Sequence, residues 1–144
     1  MDDRSIQKVI SDLKRNNLSS DMELLQILKM LAGYKYSVRL MYRQRRRLDK
    51  VIAILAGNGV PCVLADRTAG TAVRDRGKGG WANLCRPGRK DREYSLYAGR
   101  SARAVREASD AEMRQDDRKF GNTLGYPECC SEFFNAEFPR AAGI

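Results

Sequence analysis

An α+β fold follows from three observations. Two apolar stripes at helical spacing, each with its own end signals, open the chain. Short strand-like segments fill residues 58–99, and a charged, helix-forming stretch closes it. The expected layout is N-terminal helices, a small mixed or antiparallel sheet, then C-terminal helices. At 144 residues the chain suits one domain with a core of its own. Within it, 1–57 is the helical part, 58–99 the sheet and 100–144 the closing helices, with no internal repeat and no linker-like segment.

Ile6, Val9, Ile10 and Leu13 recur at i, i+3, i+4 and i+7, the stripe of an amphipathic helix that Asn16-Asn17 ends. Ser20 and Glu23 have the spacing of a capping box, and the helix they open stops at Gly33. A third helix is expected from near Ser37 to Gly57, its stripe formed by Val38, Met41, Leu48, Ile52 and Leu55. That stripe passes through Arg45. Either Arg45 snorkels at the edge of the interface, or it enters a pocket and meets an anion or a carboxylate.

Val60 to Ala65 is a short buried-strand pattern ending at Asp66, with Pro61 placing its start at an edge. Thr71–Arg74 and Trp81–Leu84 are weaker strand candidates joined by Gly77-Lys78-Gly79-Gly80. Glu93–Ala98 alternates as a strand, with Tyr94 and Leu96 on one face and Ser95 and Tyr97 on the other. A charged helix is expected from Arg100 towards Leu124, stopped by Gly125, and Pro127 opens a last short helix at its first position.

Charge narrows the partners. The chain carries 27 Lys and Arg against 18 Asp and Glu, a net +9 that attracts anions. Seven basic residues against one acid lie in 35–50, and seven against two in 74–92. No apolar run approaches the roughly 18–20 residues of a membrane span. The N-terminus lacks the features of a signal peptide, so a cytoplasmic protein is expected. In a reducing compartment four cysteines suggest metal binding, reactivity or burial before disulfides. There is no histidine, which excludes Ser-His and Cys-His dyads and His-ligated metals.

The most specific segment is Leu124-Gly125-Tyr126-Pro127-Glu128-Cys129-Cys130-Ser131-Glu132-Phe133-Phe134. With Pro127 opening the helix, Cys129 and Cys130 lie in its first turn, where unpaired amides and the dipole favour a thiolate. Glu128 and Glu132 oppose that. The alternative is that both thiols are small core hydrophobes, each one turn before a phenylalanine. The segment resembles a small prokaryotic family, archaeal and bacterial, marked by L-G-Y-P-x-C-C-x-x-F-F. The likeness extends upstream through Tyr94–Gly99 and Gly77–Trp81, about half of the chain. That family has no settled activity, so the resemblance implies a shared site and no particular reaction.

The leading expectation is a thiol-dependent enzyme acting on a small anionic substrate, a nucleotide or a modified peptide. Cys129 or Cys130 is the nucleophile or redox thiol, and Tyr126, Asp66 or Asp75 moves protons. Arg45, Arg76 and Lys78 are candidates to hold the anion. Trp81, beside the glycine-rich loop, is a stacking platform or a core residue. The loop itself departs from a Walker pattern and reads equally as a hairpin turn. A basic nucleic-acid or polyanion-binding module with structural cysteines is the alternative. A third reading is a metal or iron–sulfur centre on Cys62, Cys85, Cys129 and Cys130, against which the spacing argues: neither Cys62 nor Cys85 belongs to a C-x-x-C knuckle, and adjacent cysteines seldom both reach one ion without strain. No cofactor and no oligomeric state is indicated.

Overall fold

The computed structural model describes residues 1–65, 68–69, 84–85, 93–114 and 116–136. The chain opens with α1 (Asp3–Arg15), which is N-capped by Asp2, whose carboxylate accepts from the Ser5 amide at 2.9 Å. Asp3 lies in its first turn and Lys14 and Arg15 in its last, both matched to the helix dipole. Helix α2 (Asp21–Leu31) has the complete capping box, with Glu23 N–H donating to Ser20 Oγ and Ser20 N–H to Glu23 Oε2. Together they bury Ile6, Val9, Leu13, Leu24, Ile27, Met30 and Leu31.

The helix expected over 37–57 is instead two elements, the strand β1 (Ser37–Tyr42) and the helix α3 (Arg45–Gly57). Val38, Leu40 and Tyr42 are buried at every second position. That period-two set competes with the helical pair Val38 and Met41, and a non-local strand partner decides between them. Arg45 was the gap in the helical stripe, and it sits where α3 begins.

The partner is β5 (Tyr94–Gly99), the central strand of a three-stranded antiparallel sheet of order β1-β5-β2. In β1 Leu40 pairs with Leu96 and Val38 with Ala98. Strand β2 (Cys62–Leu64) takes the other edge, with Cys62 opposite Ala98 and Leu64 opposite Leu96. Pro61 is at that edge as expected, and its carbonyl accepts from the Gly99 amide at 3.0 Å. Between β2 and β5, β3 (Thr68–Ala69) and β4 (Leu84–Cys85) form a separate antiparallel ladder. The strand candidates Thr71–Arg74 and Trp81–Leu84 and their glycine-rich turn lie outside the described residues, except for Leu84 in β4.

Alternation gives the sheet two faces. Val38, Leu40, Tyr42, Leu96 and Ala98 pack against α1, α2 and α3 through Val9, Leu13, Ile27, Met30, Leu48, Val51 and Leu55. On the opposite face Tyr97 packs with Val105 and Ala108 of α4 (Ala102–Met113) and meets Phe120 of α5 (Asp117–Thr123) edge to face. The continuous helix expected from Arg100 to Leu124 is thus two helices. Asp116 divides them because its side chain caps a new start, accepting from the Lys119 amide at 2.9 Å. The last helix is α6 (Glu128–Ala136). Among the described residues no helix is long and apolar enough to cross a membrane.

Helices α5 and α6 cross at Gly121, where a Cβ would collide with Ser131 Oγ and lie 3.3 Å from Ser131 Cβ. Alanine here gains about 1 kcal/mol of helix propensity but overpacks the crossing. Gly121→Ala is therefore expected to lower the midpoint of thermal unfolding, and the double substitution with Ser131→Gly to restore much of the loss. A stabilised Gly121→Ala protein would disprove this close approach.

Candidate functional site

The chain entering α6 is fixed at each step. Ser37 Oγ, at the start of β1, donates to the Thr123 carbonyl at 2.8 Å. Gly125 has φ +76°, and Tyr126 N–H returns to the Gly121 carbonyl at 3.0 Å, which closes α5. The Lys35 ammonium lies 5.5 Å from the centre of the Tyr126 ring. Cys130 and Ser131 N–H both donate to the Pro127 carbonyl, at 3.0 and 3.1 Å. Pro127 is thus the residue before the first turn rather than its first member, so Cys129 and Cys130 are the second and third helical residues.

Both cysteines are exposed and free. They do not pack as small core hydrophobes; the buried member of this turn is Ser131. Hydrogen bonding with Cys129, and then the electrostatic interaction with it, push the Cys130 thiol above its ordinary value. The flanking carboxylates are occupied, since Arg118 Nη2 of α5 binds Glu128 Oε1 at 2.6 Å and Glu132 Oε1 at 3.1 Å. Phe133, one turn on from Cys129, is exposed as well.

Of the residues singled out in the sequence, Tyr126, Cys129 and Cys130 share the exposed entry to α6. Arg45 does not join them. It belongs to the helical layer on the other side of the sheet, exposed, bound to Asp49 at 2.8 Å and 5.7 Å from the Tyr94 ring centre. Cys62 packs against that same opposite core, where burial pushes its thiol up. The backbone of Cys85 is in β4. Asp66, Asp75, Arg76, Lys78 and Trp81 lie outside the described residues. Among the described residues no group of three or more Cys, Asp or Glu side chains could hold a metal.

Comparison with protein-family models, curated proteins and solved structures finds no match.

Two further features emerge only in three dimensions. The first is a cleft of about 620 Å³ between the start of α2 and the start of α3, lined by Ser19, Tyr42, Arg43, Gln44, Arg47 and Glu93. Helix α3 begins there with Arg45, Arg46 and Arg47, with no side-chain cap from Gln44 and no acid in its first turn. Three cations oppose the helix dipole at that end.

The second is a buried polar centre between the sheet and α4. Arg39 Nη2, on β1, binds Glu112 Oε1 at 2.7 Å and lies 3.4 Å from Ser95 Oγ. Glu112 is 7 % exposed. Arg39 Nε, Glu112 Oε2, Asp117 Oδ2 and Tyr97 Oη are buried without a hydrogen-bond partner among the described residues. The available signal was Glu112 falling on the apolar stripe of α4, at i+7 from Val105 and i+4 from Ala108.

Burial pushes Glu112 above the usual carboxylate value. Arg39 opposes that rise and the charge of Asp117 adds to it. Asp117 is raised by its own burial and then by Asp116. A carboxyl raised on folding holds its proton more tightly in the folded chain. Its contribution to stability is therefore full below the unfolded value of about 4.3 and is lost as pH rises through the folded value. Urea unfolding from pH 4 to 8 should show the wild type losing stability relative to Glu112→Gln as pH rises. A difference independent of pH would rule out a raised Glu112.

Proposed function

We propose that Cys129 and Cys130 form the reactive centre of a thiol-dependent enzyme acting on a small anionic, nucleotide or peptide substrate. One observation carries this reading. Around the pair, the described residues of the Leu124–Phe134 segment have positional tasks: Leu124 is buried, Gly125 takes a positive φ, Tyr126 lies under Lys35, Pro127 precedes the first turn, Ser131 packs on Gly121, and Glu128 and Glu132 bind Arg118. The cysteines have no packing task and face outward. The same division of labour would hold across a family sharing the L-G-Y-P-x-C-C-x-x-F-F motif.

With no histidine to act as base, the pair divides the work. In this reading Cys130, whose thiol is raised by its hydrogen bond with Cys129, is assigned as the proton donor to a leaving group and Cys129 as the attacking sulfur. The exposed rings of Tyr126 and Phe133 offer an apolar border for a substrate. Asp66 and Asp75 as proton carriers, and Arg76, Lys78 and Trp81 as the anion-holding set, enter on sequence grounds alone. A reducing, cytoplasmic setting is part of the proposal, since it keeps both thiols available.

The test is alkylation of the anaerobically purified chain across a pH series, each cysteine quantified by mass spectrometry. Cys129 should react first, with Cys130 catching up only as pH rises beyond the ordinary cysteine value of about 8.5. Half-buried Cys62 serves as the slow internal control. If both members of the pair react as slowly as Cys62 at every pH, the proposal fails.

The uncapped, arginine-led start of α3 favours a second reading, a polyanion or nucleic-acid surface beside the cleft. Replacing Arg46 and Arg47 by Gln should weaken binding to single- and double-stranded nucleic acid, and the wild-type affinity should fall steeply with salt. Binding that is absent, or indifferent to salt, would remove this reading.

A further inference from the structure

The same two thiols have the features of an ion site, and this inference rests on the exposed pair described above. We propose that Cys129 and Cys130 bind one monovalent copper ion as a two-coordinate bis-thiolate.

The ligand count selects the ion. Zinc in a structural site requires four ligands and in a catalytic site three from the protein. The chain has no histidine, and among the described residues no third ligand joins the pair. Cys62 is on the far face of the sheet, and Glu128 and Glu132 are turned to Arg118. Two sulfurs without nitrogen or oxygen partners form a soft, low-coordinate site. Thiolates of that kind select monovalent copper over harder ions.

The helix start favours the product, against the one negative charge left where Glu128 and Glu132 share the single cation Arg118. As the two sulfur–copper bonds form, both thiol protons leave to solvent, no electron is transferred, and the unit carries one net negative charge. It would sit in the first turn of the nine-residue α6, where amides not yet paired within the helix and the positive end of the dipole favour an anion. Adjacent helical side chains do not face each other, so binding requires both sulfurs to turn toward one ion, and because both side chains are exposed such rotations about χ1 do not disturb the core. A vicinal disulfide lacks that freedom. It would close a small ring across a trans peptide inside the helix, which leaves the pair reduced and open to a metal.

The experiment is an anaerobic titration of the full, reduced chain with copper(I) held by a chromophoric chelator, in parallel with zinc(II). One copper per chain should move from chelator to protein, with affinity falling as pH is lowered because both thiols must lose their protons. Cys129→Ser and Cys130→Ser should each abolish the transfer, while Cys62→Ser retains it. Retention of copper by either serine variant of the pair, preferential uptake of zinc, or no uptake by the reduced wild type would overturn the inference. Alkylation of the same preparation separates the two proposals. Rapid modification of Cys129 without copper uptake ends the copper site and leaves the thiol enzyme standing. Slow modification with copper uptake does the reverse.

Discussion

Everything in this fold is arranged around β5 being buried on both faces. Residues Ser95 to Gly99 are all inaccessible, so this one strand must complete an apolar layer under α1, α2 and α3 and a second layer under α4 and α5. Leu96 and Ala98 serve the first, Ser95 and Tyr97 the second. A strand in this position requires two edge partners, and β1 and β2 supply them from either side in antiparallel register. The demand for a partner at β5 is what draws residues 37–42 out of the helix that their local pattern also permits.

The thiol pair is suspended from that arrangement at one remove. Helix α6 is held by α5, through Arg118 and through the Gly121–Ser131 crossing. The junction between these helices is tied to the start of β1 by Ser37, and Lys35 just before that strand lies over Tyr126. The position of the thiols therefore depends on contacts that start at the sheet edge. The cysteine side chains are exposed, so replacing them should leave the fold intact.

How much of this was legible in the sequence depended on whether the deciding interaction was local. Ser20 and Glu23 act within a turn of themselves, so both ends of the second helix were readable to within a residue or two, as was the end of the first; the cap at Asp2 was not read. Glu93 to Ala98 announced a strand by its alternation, one residue out at each end from the observed Tyr94–Gly99. Residues 37–57 misled, since Val38 and Met41 suit either period and the choice lay with Leu96 and Ala98, more than fifty residues away. The break at Asp116 was missed because one side-chain oxygen on one amide outweighed a helix-like composition. For the site, the motif located the cysteines, but their exposure could not be read from it: Cys-Cys before Phe-Phe is also a core pattern. Whether Ser131 or its neighbours faced inward was settled by the glycine opposite, at 121.

The Arg39–Glu112 pair is the least expected feature, and stability is a poor account of it. Removing two charges from water costs several kcal/mol per ion, and replacing such a pair by well-packed apolar residues is often neutral or favourable. Its geometry offers a different role. Because side chains alternate along a strand, a one-residue slip of β1 against β5 would carry Arg39 from the α4 face into the apolar core under α1, α2 and α3. There the guanidinium would meet Leu48, Val51 and Leu55 and no carboxylate. Val38, Leu40 and Tyr42 would move the other way, towards Glu112 and Asp117. An all-apolar α4 face would penalise that slip far less. The pair therefore adds a penalty against that slip to the one Val38, Leu40 and Tyr42 already impose, and the observed register is the one that brings Ser37 to the Thr123 carbonyl.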